Sequence, residues 1–324
     1  MSPDDYLDLI RTSKVYDVAH KSALEPAVSL SQRLNNRILM KREDLQPVFS
    51  FKLRGAYNRI ATLEADELQR GVICSSAGNH AQGVALAARK LGVRAVIVMP
   101  VTTAKIKTDA VRALGGEVVL YGDAYDDAYA RAMELSRREG LVFIHPFDDP
   151  YVIAGQGTIG VEILEQAKHD IDAIFVPIGG GGLIAGIATY VKQQRPDIRI
   201  VGVEPEDSAA MKLSLEAGEP LTLDHVGIFA DGVAVRRVGD ETFRLCRKFV
   251  DEVITVGTDQ ICAGIRDIFE DTRSIVEPAG GLSIAGVKKY VAERDVTGQT
   301  LVTINCGANV NFDRLRHIAE RAAV

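Results

Sequence analysis

Lys52 is the residue whose surroundings in this sequence most favour covalent chemistry. A predicted strand over 38–44 and a turn at 46–47 precede it, and we expect Ser50 to be the N-cap of a helix that runs to residue 63. Partial burial and the positive end of the helix dipole both lower the pKa of a lysine in such a first turn. A neutral amine attacks carbonyl carbons, so Lys52 is a candidate Schiff-base residue. A lone lysine is more often solvated, and this interpretation therefore needs support from other motifs.

A second candidate site is the loop at 75–80, which follows a predicted strand and leads into a predicted helix over 81–91. Free N–H groups at such a helix start bind carboxylates or phosphates. The amide of Asn79 adds a side-chain donor. An ordinary strand-to-helix turn, with Ser and Asn as caps, explains this loop equally well.

Four consecutive glycines at 179–182 separate an apolar strand from an apolar helix. Such a loop lets main-chain N–H groups close around a phosphate at the helix N-terminus. The stretch 180–185 also fits the G-x-G-x-x-A dinucleotide fingerprint, and Glu204 ends the next strand, where a ribose-binding acid belongs. An NAD-dependent dehydrogenase is thus an alternative, although this fingerprint normally opens the first βαβ unit of its domain and gives Lys52 no role.

The loop at 305–309 follows the last predicted strand and carries Cys306. We expect its thiol to face the same cleft as the other loops. For a lone cysteine, a role as a small buried apolar residue is the commoner one.

These loops are positioned by two series of predicted strands that alternate with helices, which indicates an α/β fold with two parallel-sheet domains. The active site is expected in the cleft between the domains, at the carboxyl ends of the strands. The predicted strands are 72–75, 95–99, 117–120 and 142–144 in the first series, and 173–178, 199–203, 253–256 and 301–305 in the second. The predicted helices are 6–11, 81–91, 103–114, 125–139, 157–167, 183–194, 240–250, 259–269, 278–291 and 312–321.

Composition excludes several other classes of protein. The chain has 324 residues, 47% hydrophobic and 25% charged, with a net charge of −6, which argues against nucleic-acid and anionic-membrane partners. Its four cysteines lack metal-finger or redox spacing, and the N-terminus lacks a secretory signal, so we expect a cytoplasmic protein. The uncharged stretch 173–191 approaches membrane-spanning length, but Pro177 and the four glycines interrupt it.

Taken together, the motifs resemble those of pyridoxal-phosphate enzymes of fold type II, the tryptophan-synthase β-like class. Within that class the sequence is most similar to the serine/threonine dehydratases, in particular the biosynthetic threonine dehydratases, over nearly the whole chain. The motifs that carry the resemblance are SFKLRGA at 50–56, SAGNHAQG at 76–83, IAGQGT at 153–158, VPIGGGGL at 176–183, FADGVA at 229–234 and GANVNF at 307–312.

The resemblance implies a role for each site residue. Lys52 would hold pyridoxal 5'-phosphate as a Schiff base and, once released, act as the base at the substrate Cα. Phe51 would pack near the ring, Asn79 would bond the ring 3'-oxygen, Cys306 would lie opposite the ring nitrogen, and Glu277 is expected near the ring. The implied phosphate-binding residues are Gly179, Gly180, Gly181, Gly182 and Leu183, and the implied substrate-carboxylate residues are Ser76, Gly78, His80 and Gln156.

The implied reaction is dehydration and deamination of L-threonine, and also of L-serine, to 2-oxobutanoate or pyruvate and ammonia, the first step of isoleucine biosynthesis. The implied domains are a large cofactor-binding domain, 1–55 with 147–324, and a small α/β domain, 56–146. We further expect a homodimer or homotetramer, and no C-terminal regulatory domain, hence no feedback inhibition by isoleucine.

Two positions depart from near relatives. Many dehydratases have Ser where this chain has Cys306, and a thiol is a weaker donor that can still face a neutral ring nitrogen. Related serine racemases have Ser, which serves as a second base, where this chain has Ala77. Of the acidic ligands that form the divalent-metal site of these racemases, only one has an acidic counterpart in this chain, Glu204. No metal is therefore predicted. Serine dehydratase, serine racemase and a non-catalytic amino-acid-binding protein remain alternatives.

Overall fold

The computed structural model describes residues 1–323, which form two β-sheets with helices packed against them. The larger sheet has six strands in the order β1-β2-β10-β7-β8-β9. Only β1 runs antiparallel to its neighbour, and the remaining pairs are parallel. The strands of this sheet are β1 (Leu24–Pro26), β2 (Arg37–Arg42), β7 (Ala173–Pro177), β8 (Arg199–Pro205), β9 (Glu252–Val256) and β10 (Thr300–Asn305).

The smaller sheet is fully parallel, with the strand order β5-β4-β3-β6. Its strands are β3 (Val72–Ser75), β4 (Ala95–Met99), β5 (Glu117–Leu120) and β6 (Val142–Phe143). The predicted bounds of β3, β4 and β5 are confirmed. The two predicted series of parallel strands are likewise confirmed, and the first series forms the smaller sheet.

Helices cover the sheets and begin where strand-to-helix loops end. They are α1 (Pro3–Arg11), α2 (Val28–Leu34), α3 (Lys52–Ile60), α4 (Ala65–Arg70), α5 (Asn79–Leu91), α6 (Lys105–Ala113), α7 (Tyr125–Glu139), α8 (Pro150–Gln166), α9 (Gly182–Gln194), α10 (Ala210–Ala217), α11 (Asp240–Phe249), α12 (Thr258–Thr272), α13 (Pro278–Arg294) and α14 (Leu315–Arg321). The predicted helix 125–139 is confirmed. The predicted helix 157–167 corresponds to the second half of α8, which begins at Pro150, after Asp149 caps its first turn, and ends at Gln166.

The core of the larger sheet lies along its central strands, because both faces of a parallel sheet are covered. Every residue of β7 and β10 is buried. A second apolar cluster lies between the smaller sheet and its helices, where it includes Val72, Ile97 and Val84. Each sheet therefore has apolar packing of its own.

Helix α3 lies at the junction of the two sheets, because glycines allow its backbone to approach two other helices. A Cβ added to Gly83 of α5 would lie 3.0 Å from the carbonyl carbon of Lys52. A Cβ added to Gly155 of α8 would lie 2.7 Å from the Cα of Gly55. These contacts hold α3 against α5, which follows β3 of the smaller sheet, and against α8.

Candidate active site

Lys52 lies beside the end of β10, because the loops after two neighbouring strands pair with each other. Ser50 forms an isolated antiparallel bridge with Gly307. The N–H of Phe51 donates to the carbonyl of Cys306 at 3.2 Å. Both β2 and β10 end at this edge of the sheet, so parallel pairing brings the lysine and the cysteine into one site.

The predicted capping role of Ser50 is wrong. The N-cap of α3 is Phe51, which has helical backbone angles and makes no side-chain cap bond. Ser50 is fully buried, and its hydroxyl has no hydrogen-bond partner among residues 1–323. Pairing with Gly307 overrides the local preference of serine for a cap, but Lys52 still begins the helix as predicted.

The Lys52 amine is held in a partly buried position. Its Nζ donates to the carbonyl oxygen of Pro146 at 2.8 Å and lies 5.4 Å from the centroid of the Phe51 ring. Burial lowers the pKa of Lys52 to about 8, against the opposing effects of Cys306 and Glu277. A useful fraction of this amine is therefore neutral near physiological pH and able to attack a carbonyl carbon.

The glycine loop between β7 and α9 offers a row of main-chain donors. Within residues 1–323, the N–H groups of 179–183 donate to no other group. Gly181 has a φ of 95°, which a residue with a side chain rarely adopts. A Cβ on Gly180 would lie 2.2 Å from the ring of Phe147, so that position also requires glycine. Free N–H groups at the start of a 13-residue helix form an anion site.

The loop after β3 offers similar donors on the opposite side of the cleft. In the described chain, the N–H groups of Ala77, Asn79 and Ala81 at the start of α5 donate to no other group. Ser76 Oγ accepts from the N–H of Gly78 at 3.2 Å, and a Cβ on Gly78 would meet no atom within 4 Å. This loop therefore has both donors and space for an anionic group.

Two predicted substrate-binding residues are more deeply buried. His80 is 3% exposed, and its Nε2–H donates to the Ile144 carbonyl at 2.8 Å. Burial lowers the pKa of His80 to about 3, so its ring is neutral and brings no positive charge to a bound carboxylate. Gln156 Oε1 accepts from the N–H of Gly55 at 3.2 Å, whereas its Nε2 has no partner in residues 1–323 and stays available as a donor.

Asn79 takes part in a chain of side chains that the sequence did not predict. Its Nδ2 donates to Glu277 Oε1 at 2.6 Å, and its Oδ1 accepts from Asn309 Nδ2 at 2.6 Å. Glu277 is 5% exposed, and burial raises its pKa to about 7 even though the bond from Asn79 opposes this shift. The sequence places Asn309 only in the loop after the last strand, and its contact with Asn79 joins positions 230 residues apart.

Cys306 lies in the same buried region and carries a neutral thiol. It is 3% exposed, and burial and Glu277 raise its pKa well above the usual value, against the effect of Lys52. A neutral thiol next to a ligand can donate or accept a weak hydrogen bond but adds no charge.

The structure does not favour the dehydrogenase alternative. Glu204, the predicted ribose-binding acid, is fully buried and accepts from the N–H groups of Met211 at 2.8 Å and Lys212 at 2.9 Å. Its carboxylate thus caps helix α10, which was not predicted. Both of its oxygens are engaged there rather than presented to a ribose.

Two further findings concern the described residues as a whole. No helix within 1–323 combines the length and apolar character required to cross a bilayer. Nowhere in that range do three His, Cys, Asp or Glu side chains gather into a set of ligands for a metal ion.

Comparisons with known proteins agree on one family. The family described as pyridoxal-phosphate dependent enzyme matches residues 16–307. The "L-threonine dehydratase biosynthetic IlvA" of Burkholderia multivorans is 59% identical over all of this chain, which spans 64% of that relative. The chain thus spans just under two thirds of the length of this curated relative.

Two solved structures are also similar. The processed form of threonine deaminase isoform 2 from Solanum lycopersicum superposes with a TM-score of 0.98 at 52% identity, covering 99% of this chain and 94% of that one. A threonine deaminase from T.th. gives a TM-score of 0.89 at 40% identity, covering 96% of this chain and 99% of that one.

The residues present suit pyridoxal phosphate. The unpaired N–H groups of 179–183 match a phosphate, the Lys52 amine matches a carbonyl carbon, and the second N–H of Asn79 is left for a ring oxygen. Phe51 and the thiol of Cys306 supply an apolar and uncharged surround. With this site and the match over 16–307, the chain belongs to the family of pyridoxal-phosphate-dependent enzymes.

Proposed function

We propose that this chain dehydrates and deaminates L-threonine, and also L-serine, to the 2-oxo acid and ammonia with pyridoxal 5'-phosphate as its cofactor. The single observation that carries the proposal is the partly buried Lys52 amine, with a pKa of about 8, in a site with two sets of main-chain N–H groups that donate to no other group within residues 1–323. The threonine dehydratases named above support the choice of substrate. Supply of 2-oxobutanoate for isoleucine synthesis is part of the same proposal.

Each anion loop has a separate task in this proposal. The N–H groups of 179–183 bind the cofactor phosphate, and Phe51 packs near the ring. Ser76, Gly78 and the N–H groups at the start of α5 bind the substrate carboxylate, with Gln156 Nε2 as a further donor. His80 stays neutral and, through its bond to Ile144, supports the loop that carries these donors.

Lys52 performs the proton transfer. The bound cofactor withdraws electrons from the substrate Cα and so makes its proton acidic. The free Lys52 amine takes that proton, and the Pro146 carbonyl, 2.8 Å from Nζ, stabilises the resulting ammonium. The β-hydroxyl leaves as water with the proton that Lys52 took, and hydrolysis then consumes one water, so the products are one 2-oxo acid and one ammonia per amino acid.

Cys306 favours elimination over transamination, because it places no carboxylate against the ring nitrogen. Cys306→Ser should retain most activity, since a hydroxyl is also a neutral donor. Cys306→Asp should lower turnover, because a carboxylate favours a protonated ring nitrogen. If the Asp variant turns over as fast as the Ser variant, Cys306 is a packing residue only.

The direct test is formation of 2-oxobutanoate from L-threonine by the purified protein with added cofactor. Lys52→Ala should lower turnover by at least several orders of magnitude. Lys105→Ala is the matched control, because the Lys105 side chain is 86% exposed and lies outside the site. Near-normal turnover by Lys52→Ala would overturn the proposal.

The assembly and location of the enzyme belong to the same proposal. We expect a homodimer or homotetramer, which sedimentation equilibrium would measure. A cytoplasmic location is supported by four free, buried cysteines, which suit a reducing compartment. Cell fractionation tests the location, and a monomer at micromolar concentration would contradict the expected assembly.

A further inference from the structure

The side chain of Asn79 lies between two partners that come from distant parts of the chain. Asn309 follows β10, Glu277 precedes α13, and Asn79 begins α5 of the smaller sheet. Both contacts are 2.6 Å long, which is short for bonds from an amide nitrogen. A polar chain therefore connects the two sheets at the base of the cleft.

The bonds allow only one orientation of the Asn79 amide. The carbonyl of Val48 can only accept, so the Asn309 nitrogen, 2.9 Å away, must face it, and that nitrogen donates its second hydrogen to Asn79 Oδ1. The Asn79 nitrogen is then directed to Glu277, which accepts one hydrogen. One N–H of Asn79 is left without a partner among residues 1–323.

Burial makes this arrangement costly to reverse. Glu277 is 5% exposed, and its main-chain N–H donates to the Gly307 carbonyl at 3.1 Å, which fixes the backbone of Glu277 relative to the loop after β10. A reversed Asn79 amide would place its oxygen against the Glu277 oxygen and its nitrogen against the Asn309 nitrogen. The contact between the two nitrogens would be repulsive, as would the contact between the two oxygens whenever Glu277 is ionised, and buried polar groups that lack partners are expensive.

We propose that Asn309 and Glu277 are positioning residues that lock the Asn79 amide with one N–H presented to the 3'-oxygen of the cofactor. The inference rests on the proposed function, because it presumes that Asn79 meets that oxygen. Asn309 and Glu277 then affect the affinity for the cofactor, and the electronic state of the bound cofactor, only through Asn79.

The test measures the Kd of pyridoxal 5'-phosphate and the visible absorbance of the bound cofactor. Asn309→Asp replaces the donor with an acceptor and removes the lock. The Asn79 N–H would then no longer be held toward the 3'-oxygen of the cofactor. Losing a hydrogen bond to a charged acceptor should raise Kd on the order of 10- to 100-fold and should shift the absorbance maximum. Asn311→Asp is the matched control, since it makes the same change two residues away and the Asn311 side chain has no hydrogen bond in residues 1–323.

A double-mutant cycle separates positioning from a general structural role. In an Asn79→Ala background, Asn309→Asp should raise Kd no further and leave the absorbance unchanged. An undiminished increase in that background, or a wild-type Kd for Asn309→Asp alone, overturns the inference and leaves the proposed function intact. A wild-type protein that binds no cofactor overturns both.

A second pair of variants keeps the test decisive if Asn309→Asp does not fold. Glu277→Leu removes the acceptor and should raise Kd, whereas Glu277→Gln retains an acceptor oxygen and should restore most of the affinity and the absorbance maximum. If the two variants bind the cofactor with equal affinity, the hydrogen bond from Asn79 to Glu277 has no effect on cofactor binding.

Discussion

Replacing Arg54 with methionine should destabilise the protein by about 3–5 kcal/mol, because it leaves buried carboxylates without their main partner. The Arg54 guanidinium is fully buried and bonds Glu43 at 2.8 Å and Glu162 at 2.6 Å, both also fully buried. Lys41 pairs with Glu162 at 2.5 Å, so the four charges cancel. Without Arg54 the group has an excess negative charge, and only Lys41, hydroxyls and an amide remain to bond the carboxylates.

The loss can be measured by thermal unfolding of the cofactor-free protein. With an unfolding entropy of ~2.1 cal/mol/K per residue over 324 residues, about 3–5 kcal/mol lowers Tm by roughly 4–7 °C. Arg316→Met is the control, because Arg316 is 88% exposed and its pair with Glu320 should contribute at most ~0.5 kcal/mol.

A second change tests the reason for the loss. Adding Glu43→Gln to Arg54→Met removes the carboxylate whose ion-pair partner was Arg54, while Glu162 keeps Lys41, and should recover part of the stability. A decrease of less than about 1 kcal/mol for Arg54→Met alone, or a further loss in the double variant, would refute the electrostatic reasoning.

Three further predictions concern the site itself. Gly180→Ala should weaken cofactor binding at least tenfold in a fluorescence titration, because its Cβ would lie 2.2 Å from the Phe147 ring and would displace the glycine loop. An unchanged affinity would show that the loop tolerates a side chain at this position. The rate at which cofactor-free protein binds pyridoxal phosphate should rise about tenfold per pH unit up to pH ~8 and then level off, because the neutral fraction of Lys52 does so. A rate that does not change with pH below 8 would contradict this. His80 has a folded-state pKa of about 3, below its unfolded value, so its contribution to stability is present above pH ~6.5 and is lost as the pH falls. Wild type should therefore lose about 2 kcal/mol more than His80→Gln between pH 7 and pH 5 in urea unfolding, and parallel losses would contradict the neutral buried ring.

Much of the fold could be predicted from the sequence because parallel strands are buried on both faces and form continuous apolar runs. The bounds of β3, β4, β5 and α7 were predicted as observed. The antiparallel edge strand β1 was missed, since it has only three residues and ends in a proline. The division of the chain at residues 56 and 147 stays a prediction.

Predictions that relied on local preference failed where distant contacts dominate. Ser50 has the residue type of a cap, but its pairing with Gly307 decides its conformation. Glu204 fits a fingerprint, but α10, which was not predicted, uses both of its oxygens.

The positions of the site motifs could be predicted, whereas their mutual contacts could not. Lys52 and the glycine loop each begin a helix, and this can be inferred from short-range patterns. The bond between Asn79 and Glu277 joins residues 198 positions apart, and no spacing rule indicates it. The roles proposed for the individual site residues stay predictions until they are tested by substitution.

The most direct test of the central claim is borohydride reduction of the purified protein after incubation with pyridoxal phosphate, followed by peptide mass analysis. We predict that borohydride abolishes a visible absorbance band and leaves the cofactor attached to the peptide that contains Lys52. Attachment at another lysine, or a protein that binds a nicotinamide cofactor and shows no such band, would contradict this account of the site.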